Sequence, residues 1–238
     1  MKQIGFSTGC LFHKNFDVKK SVSLYAGLGL DNIELAFLDK MELEEFKLDK
    51  SLTGILSSFK YISIHAPCIK TIYRKDRSSV SILDRIKYMT GEIKVNSVVF
   101  HPDIIEDFDI LGKYPFCKSF ENMDKRKKKG FSYDEINSFR SMDDIKFVFD
   151  IQHAYEHDGL CGYSEKVLGL MKDRLSHLHL SGSNEQSSHS LLHCSANKEK
   201  IIKFLNKYNL LEIPVIFEGG ISNIELDISN ELEFFKNL

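Results

Sequence analysis

Six side chains of the kinds that hold metal ions or move protons close short apolar runs along this chain. They are His65 in YISIH, His101 in SVVFH, Glu121 in CKSFE, Asp150 in FVFD, His179 in LSHLHL and Glu218 in PVIFE. Two further histidines follow closely, His153 in DIQHA and His189 in SSHS. Imidazole and carboxylate donors together suit zinc, manganese or a related transition ion, whereas an all-oxygen cage would suit magnesium or calcium. A pair of glutamates, Glu121 and Glu218, adds groups able to accept and deliver protons. One such residue ending an apolar run is ordinarily a loop residue or a cap. Six are different, and three of the nine histidines occupy this one position.

The runs themselves read as strands: QIGFS (3–7), NIEL (32–35), YISIH (61–65), SVVFH (97–101), CKSFE (117–121), FVFD (147–150), LSHLHL (175–180) and PVIFE (214–218). Between most of them lie segments of helical periodicity, including VKKSVSLYAGLGL, VSILDRIKYM and KEKIIKFLNKY, and NIELDISNELEFF reads as a closing helix. Strands alternating with helices predict a parallel sheet with crossover helices. About eight units predict a closed (β/α)8 barrel, with an open doubly wound sheet as the alternative. From Glu34 onward the polar strand ends recur with a mean step of about 31 residues, the size of one βα unit. The step from His101 to Glu121 is shorter, so the fourth helix, around IIEDFDIL, is expected to be abbreviated. Residues two apart on a strand share a face, which turns Ser63, Val99, Ser119, Val148, His177 and Ile216 inward beneath the polar ends. Barrel enzymes build their sites at the C-terminal ends of the strands, so the six groups form a candidate metal cage on one rim. His177 lies one layer deeper and reads as a hydrogen-bonded core group. Glu34 is expected to pair with a neighbouring loop, and His13, His157 and His193 read as surface or loop residues.

The chain has 238 residues, 42% hydrophobic and 28% charged, enough to bury the core of one domain spanning 1–238. A net charge of −2 gives no strong field toward nucleic acid or membrane, although a local basic groove can sit on an acidic protein. The N-terminus lacks a signal-peptide apolar stretch, and nothing approaches the roughly 18 apolar residues of a spanning helix. Five scattered cysteines without a CxxC pair argue for a soluble protein of a reducing, cytoplasmic compartment with neither a disulfide frame nor a thiolate zinc knuckle. The run DKRKKKG (124–130) follows FENM and is expected on the same rim, where Lys125, Arg126 and Lys127, with Arg74 from the loop after SIHAPC, could meet an anion. A charge run of this kind is also what a solvated loop looks like.

SIHAP, VFHP, FEN, DIQHA, SHLHLS and IFEGG, in this order, resemble the xylose-isomerase-like TIM-barrel superfamily, which includes sugar isomerases and epimerases and endonuclease IV (AP endonuclease family 2). The resemblance implies that Glu121, Asp150, His179 and Glu218 hold one divalent ion. For endonuclease IV it further implies a second zinc at His65 and His101 sharing Glu121, and a third at His153 and His189, so one to three ions are expected. Three departures stand out: Ser187 replaces an expected Asp two residues before His189, HLSGS stands for HLND, and CSAN stands for GEG. Three functions follow from the residues and the resemblance. The first is isomerisation or epimerisation of a sugar or sugar phosphate through an enediolate, with Glu121 and Glu218 exchanging protons and His153 holding a substrate hydroxyl. The second is metal-dependent phosphodiester hydrolysis at abasic DNA. The third is a non-catalytic metal or sugar binder.

Overall fold

In the computed structural model, which describes residues 3–14 and 16–238, eight strands form a closed parallel barrel in sequential order. They are β1 (Ile4–Ser7), β2 (Asn32–Ala36), β3 (Tyr61–His65), β4 (Ser97–Phe100), β5 (Lys118–Glu121), β6 (Ile145–Asp150), β7 (Leu175–Leu180) and β8 (Val215–Phe217). Parallel pairing of β1 with β8 closes the ring, with Phe6 opposite Phe217. An open sheet is therefore excluded. The strands begin and end within two residues of the apolar runs, because a strand buried on both faces reads as a continuous hydrophobic stretch.

The helices wrapping this barrel, among the described residues, are α1 (Val18–Gly27), α2 (Lys40–Glu45), α3 (Lys50–Leu56), α4 (Arg77–Glu92), α5 (Tyr133–Arg140), α6 (Ile151–Asp158), α7 (Gly162–Met171), α8 (Lys198–Lys207) and α9 (Ile224–Lys236). The longest, α4, shows why they form. Asp76 accepts the Ser79 backbone N–H at 2.8 Å as N-cap, and Ile82, Leu83, Ile86 and Met89 share one face and are buried against the barrel. Between β4 and β5 the chain makes only short 3-10 turns, Pro102–Ile104 and Phe108–Lys113. No described helix is long and apolar enough to cross a membrane.

Ser63, Val99, Ser119, Val148, His177 and Ile216 all lie fully buried inside the ring. The interior is more polar than a hydrocarbon core. Ser97 Oγ donates to Ser119 Oγ (2.6 Å), which donates to Ser176 Oγ (2.9 Å), and the Tyr61 hydroxyl meets His177 Nδ1 at 2.9 Å. Buried polar groups of this kind must satisfy one another, and these form a column leading up to the rim.

Candidate metal centre

Glu121, Asp150, His153 and Glu218 are set at the rim by local devices. Asp150 ends β6 and is also the N-cap of α6: its Oδ1 accepts the His153 N–H at 2.7 Å, which leaves Oδ2 for another partner. The same cap puts His153 in the first helical turn, facing back toward the strand ends. Asn122, one residue past β5, exchanges two hydrogen bonds with the Asp150 backbone, donating to its carbonyl at 2.9 Å and accepting its N–H at 2.8 Å. This staple sets Glu121 and Asp150 side by side. Glu218 is held where its N–H meets the Leu180 carbonyl at 3.1 Å, and Gly219 follows because a Cβ there would lie 2.5 Å from the Leu191 nitrogen.

Glu121, Asp150, His179 and Glu218 converge, with one donor atom from each within 4.8 Å of the others. His179 Nδ1 lies 3.4 Å from Glu121 Oε2 and 3.3 Å from Glu218 Oε2. Glu121 Oε2 is also 3.3 Å from His101 Nε2 and 3.6 Å from His65 Nε2. Despite these approaches, Glu121 Oε2, Asp150 Oδ2 and His179 Nδ1 are buried without an aligned hydrogen bond. An unpaired buried polar group costs about 1–3 kcal/mol, more if charged, so three in one place need a compensating partner. A divalent ion is the partner this donor set fits: one imidazole and three carboxylates, the mixture suited to manganese or zinc.

Besides Glu34, His177 and His179 inside the barrel, two further donor sets adjoin the quartet. His65, Cys68 and His101 form one, with the two histidine Nε2 atoms 3.0 Å apart. Asp150, His153 and His189 form the other, His153 and His189 meeting edge to face at 5.3 Å between ring centres. His153 Nδ1 points to the Asn122 carbonyl (2.9 Å) and Glu121 Oε1 (3.0 Å), and His189 Nδ1 to Ser181 Oγ (2.9 Å). Ser187 sends its hydroxyl to the His189 carbonyl and accepts the His189 N–H, both at 3.0 Å, so it shapes the loop.

Glu34 departs from the sequence reading. It pairs with no loop. It is fully buried inside the barrel, where Oε2 accepts from Ser63 Oγ (2.9 Å) and lies 3.2 Å from His179 Nε2 and 3.4 Å from His177 Nε2. The Tyr61 hydroxyl meets His177 Nδ1, His177 Nε2 lies 3.2 Å from His179 Nε2, and the Glu34 carboxylate favours a proton on His179 Nε2. With that nitrogen turned to Glu34, His179 Nδ1 faces the quartet and becomes a ligand once its proton is displaced. No sequence signal names this contact, because Glu34 and His179 meet only across the closed barrel. His193 is also more than a surface residue: its Nδ1 and backbone N–H both donate to buried Glu231, at 2.7 and 2.9 Å. His157 donates from Nε2 to the Met123 carbonyl at 3.1 Å, away from the quartet.

Charge is distributed unevenly over the site. Burial alone would raise the Glu121 carboxyl, but His101 and His179 overcome it and hold it well below the usual carboxylate range. At Glu218 burial, reinforced by Glu121, Glu34 and Asp150, outweighs His179 and pushes the carboxyl up to about 8. Burial would lower His153, yet Asp150 and Glu121 reverse this and raise it to about 10.

The cluster opens on a cavity of about 250 Å³ whose other wall is apolar, with Phe12, Ala36, Phe37 and Leu38. A wider depression of about 670 Å³ continues past His189 and Glu218. Another depression, of about 1080 Å³, lies at the opposite end of the strands, around Lys118 and Lys146, away from the donor sets. Several basic residues of the rim are paired with carboxylates, while Lys129 Nζ donates to the Ile105 carbonyl. Arg126 pairs with Asp124 (2.8 Å) and Glu156 (3.5 Å), Lys127 with Asp103 (3.2 Å), and Arg74 with Asp76 (2.8 Å) and Glu106 (3.5 Å). Lys125 is exposed, with no ion pair among the described residues.

No protein-family model and no curated protein sequence matches the chain. Solved structures do match it along its length. A D-tagatose 3-epimerase-like protein has a TM-score of 0.70 at 17% identity, covering 100% of this chain and 96% of that one. Endonuclease IV from Thermus thermophilus has a TM-score of 0.71 at 16% identity, covering 99% and 98%. The 3-keto-D-glucoside 4-epimerase YcjR from E. coli has 0.63 at 12%, covering 100% of each. The fold is that of the xylose-isomerase-like TIM barrels. Within that fold the neighbours include both sugar epimerases and an endonuclease.

Proposed function

We propose that this protein is a divalent-metal-dependent isomerase or epimerase acting on a small sugar. One observation carries the reading: three buried donor atoms of Glu121, Asp150 and His179 without a hydrogen bond converge with Glu218, and Glu121 and Glu218 line a cavity of about 250 Å³. When bound, a divalent ion supplies positive charge against which negative charge on the substrate's oxygens is stabilised. Glu121 and Glu218 are the proton-handling pair, and their environments push them apart before metal is bound, one ionised and one holding its proton near neutrality. Both line the cavity, and Glu218, with 19% of its side chain exposed, is the more accessible of the two. His153, its ring anchored at Asn122 and Glu121, presents its remaining nitrogen to a substrate hydroxyl. The ion pairs of Arg74, Arg126 and Lys127 favour an uncharged sugar over a phosphorylated one. Incubating the metal-loaded protein with a panel of ketoses and aldoses should yield an epimer or isomer, with solvent deuterium entering at the reacting carbon. Absence of both from every sugar rejects the reading.

A second reading is hydrolysis of a phosphodiester at abasic DNA. The additional donors His65, His101, His153 and His189 favour it, since clustered ions can generate hydroxide and neutralise a phosphate. Against it stand Ser187, whose side chain serves its own loop, and the carboxylates paired with Arg74, Arg126 and Lys127. Metal-dependent nicking of an abasic duplex would establish this reading over the first.

A further inference from the structure

Three donors beside the quartet form a set that shares no residue with it. A nitrogen of His65, a nitrogen of His101 and the Cys68 sulfur lie within 4.8 Å of one another. We propose that Cys68 is a metal ligand, its thiolate completing a His65–His101–Cys68 site that takes a thiophilic ion of the zinc class. The inference rests on the metal-dependent reading; an ion at His65 and His101 is already implied by the resemblance, and what is added is the Cys68 thiolate as its ligand.

The geometry is built for coordination. His65 Nδ1 donates to the Ala66 carbonyl at 3.1 Å, which leaves Nε2 as a lone pair. That lone pair faces His101 Nε2 at 3.0 Å. Glu121 Oε2, on a side chain 99% buried and without a hydrogen bond, is aimed at the same pair of nitrogens, 3.3 and 3.6 Å away. Cys68 sits three residues past His65 on an anchored loop. Its N–H and that of Ile69 both donate to the Leu38 carbonyl, at 3.1 and 2.8 Å, and Pro67 receives the Tyr73 hydroxyl at 2.9 Å. Cys68 is a free thiol lining the cavity, with no hydrogen bond from its sulfur to a described residue.

Donor chemistry separates the two sets. The quartet, with three carboxylates and one imidazole, accepts manganese readily. Two imidazoles and a thiolate are a soft set that prefers zinc and disfavours manganese or magnesium. Binding displaces the thiol proton to solvent, so uptake at this set releases acid.

Cobalt(II) tests the assignment, because a thiolate ligand adds an intense charge-transfer band in the near ultraviolet that oxygen and nitrogen ligands do not. Metal-stripped full-length protein titrated with cobalt should develop this band and saturate it at one ion. Cys68→Ser should abolish the band while still binding cobalt and melting at the wild-type temperature. Cys10→Ser, which alters the other cysteine lining the cavity, should keep it. In parallel, Cys68→Ser should weaken zinc more than about tenfold by competition with a chromophoric chelator and leave manganese affinity unchanged. Cobalt binding without the band, or a band that survives in Cys68→Ser, overturns the role of Cys68 and leaves the quartet standing. No cobalt binding at all overturns both.

Discussion

Glu34 makes no contact with the cavity, yet its loss should weaken metal binding. Its Oε2 lies 3.2 Å from His179 Nε2 and fully buried, so it favours the proton on Nε2 when Nδ1 gives up its own to an ion. Burial alone would raise the Glu34 carboxyl, but the His179 and His177 donors hold it well below the usual range, so it is ionised. Glu34→Gln keeps the volume and one acceptor but removes the charge. A charge-assisted hydrogen bond contributes about 1.5–3 kcal/mol and a neutral one about 0.5–1.5, so the change loses about 1–1.5 kcal/mol at His179. The amide can also turn its NH2 toward Nε2, which would leave the proton on Nδ1 and remove the ligand altogether. Together these place the loss within the roughly 10–100-fold range found for partners of metal-bound histidines. Competition between metal-stripped protein and a chromophoric chelator for manganese measures it directly. Ser63→Ala, which removes only the 2.9 Å bond to Glu34, is expected to cost less than about threefold. Manganese affinity of Glu34→Gln within about threefold of wild type, in a protein that melts normally, would refute the reasoning and assign His179 orientation to packing alone.

Other expectations follow from the same geometry. Glu218→Gln should abolish turnover with the fold retained by circular dichroism, and unchanged activity would remove Glu218 from proton transfer. Metal uptake should strengthen as pH rises from acid through neutrality: burial would lower His179, but Glu218, Glu34 and Glu121 hold it well above its ordinary value, so a proton competes with the ion. Calorimetry in buffers of different ionisation heat counts the protons released. Asp158 accepts the N–H groups of Cys161, Tyr163 and Ser164 at the start of α7, and these together with the Ser164 hydroxyl outweigh burial and lower its carboxyl. Its contribution is present above the unfolded carboxyl value and lost as pH falls through the folded one. Asp158→Asn should therefore melt lower than wild type at neutral pH, by about 1 kcal/mol of stability, and the gap should close in acid. Gly219→Ala places a Cβ 2.5 Å from the Leu191 nitrogen and should cost about 1–3 kcal/mol in denaturant unfolding while displacing Glu218.

The amino-acid sequence by itself determined the strands and the face each presents. Alternation with period two, and a polar residue closing each apolar run, place His65, His101, Glu121, Asp150, His179 and Glu218 at corresponding heights on neighbouring parallel strands. Order in the chain equals order around the ring, so this local information suffices to send them to one rim. The tertiary structure alone decided which side chains touch across that ring and between its loops. Glu34 meets His179 only because β2 and β7 face each other once the barrel closes. Cys68 joins His65 and His101 because the loop after β3 folds back onto the Leu38 carbonyl. Arg74, Arg126 and Lys127 look like free positive charge in a linear reading, yet Glu106, Glu156 and Asp103 reach them from other loops. The period of a strand is a property of a few consecutive residues, whereas a contact across a closed barrel depends on the path of the whole chain.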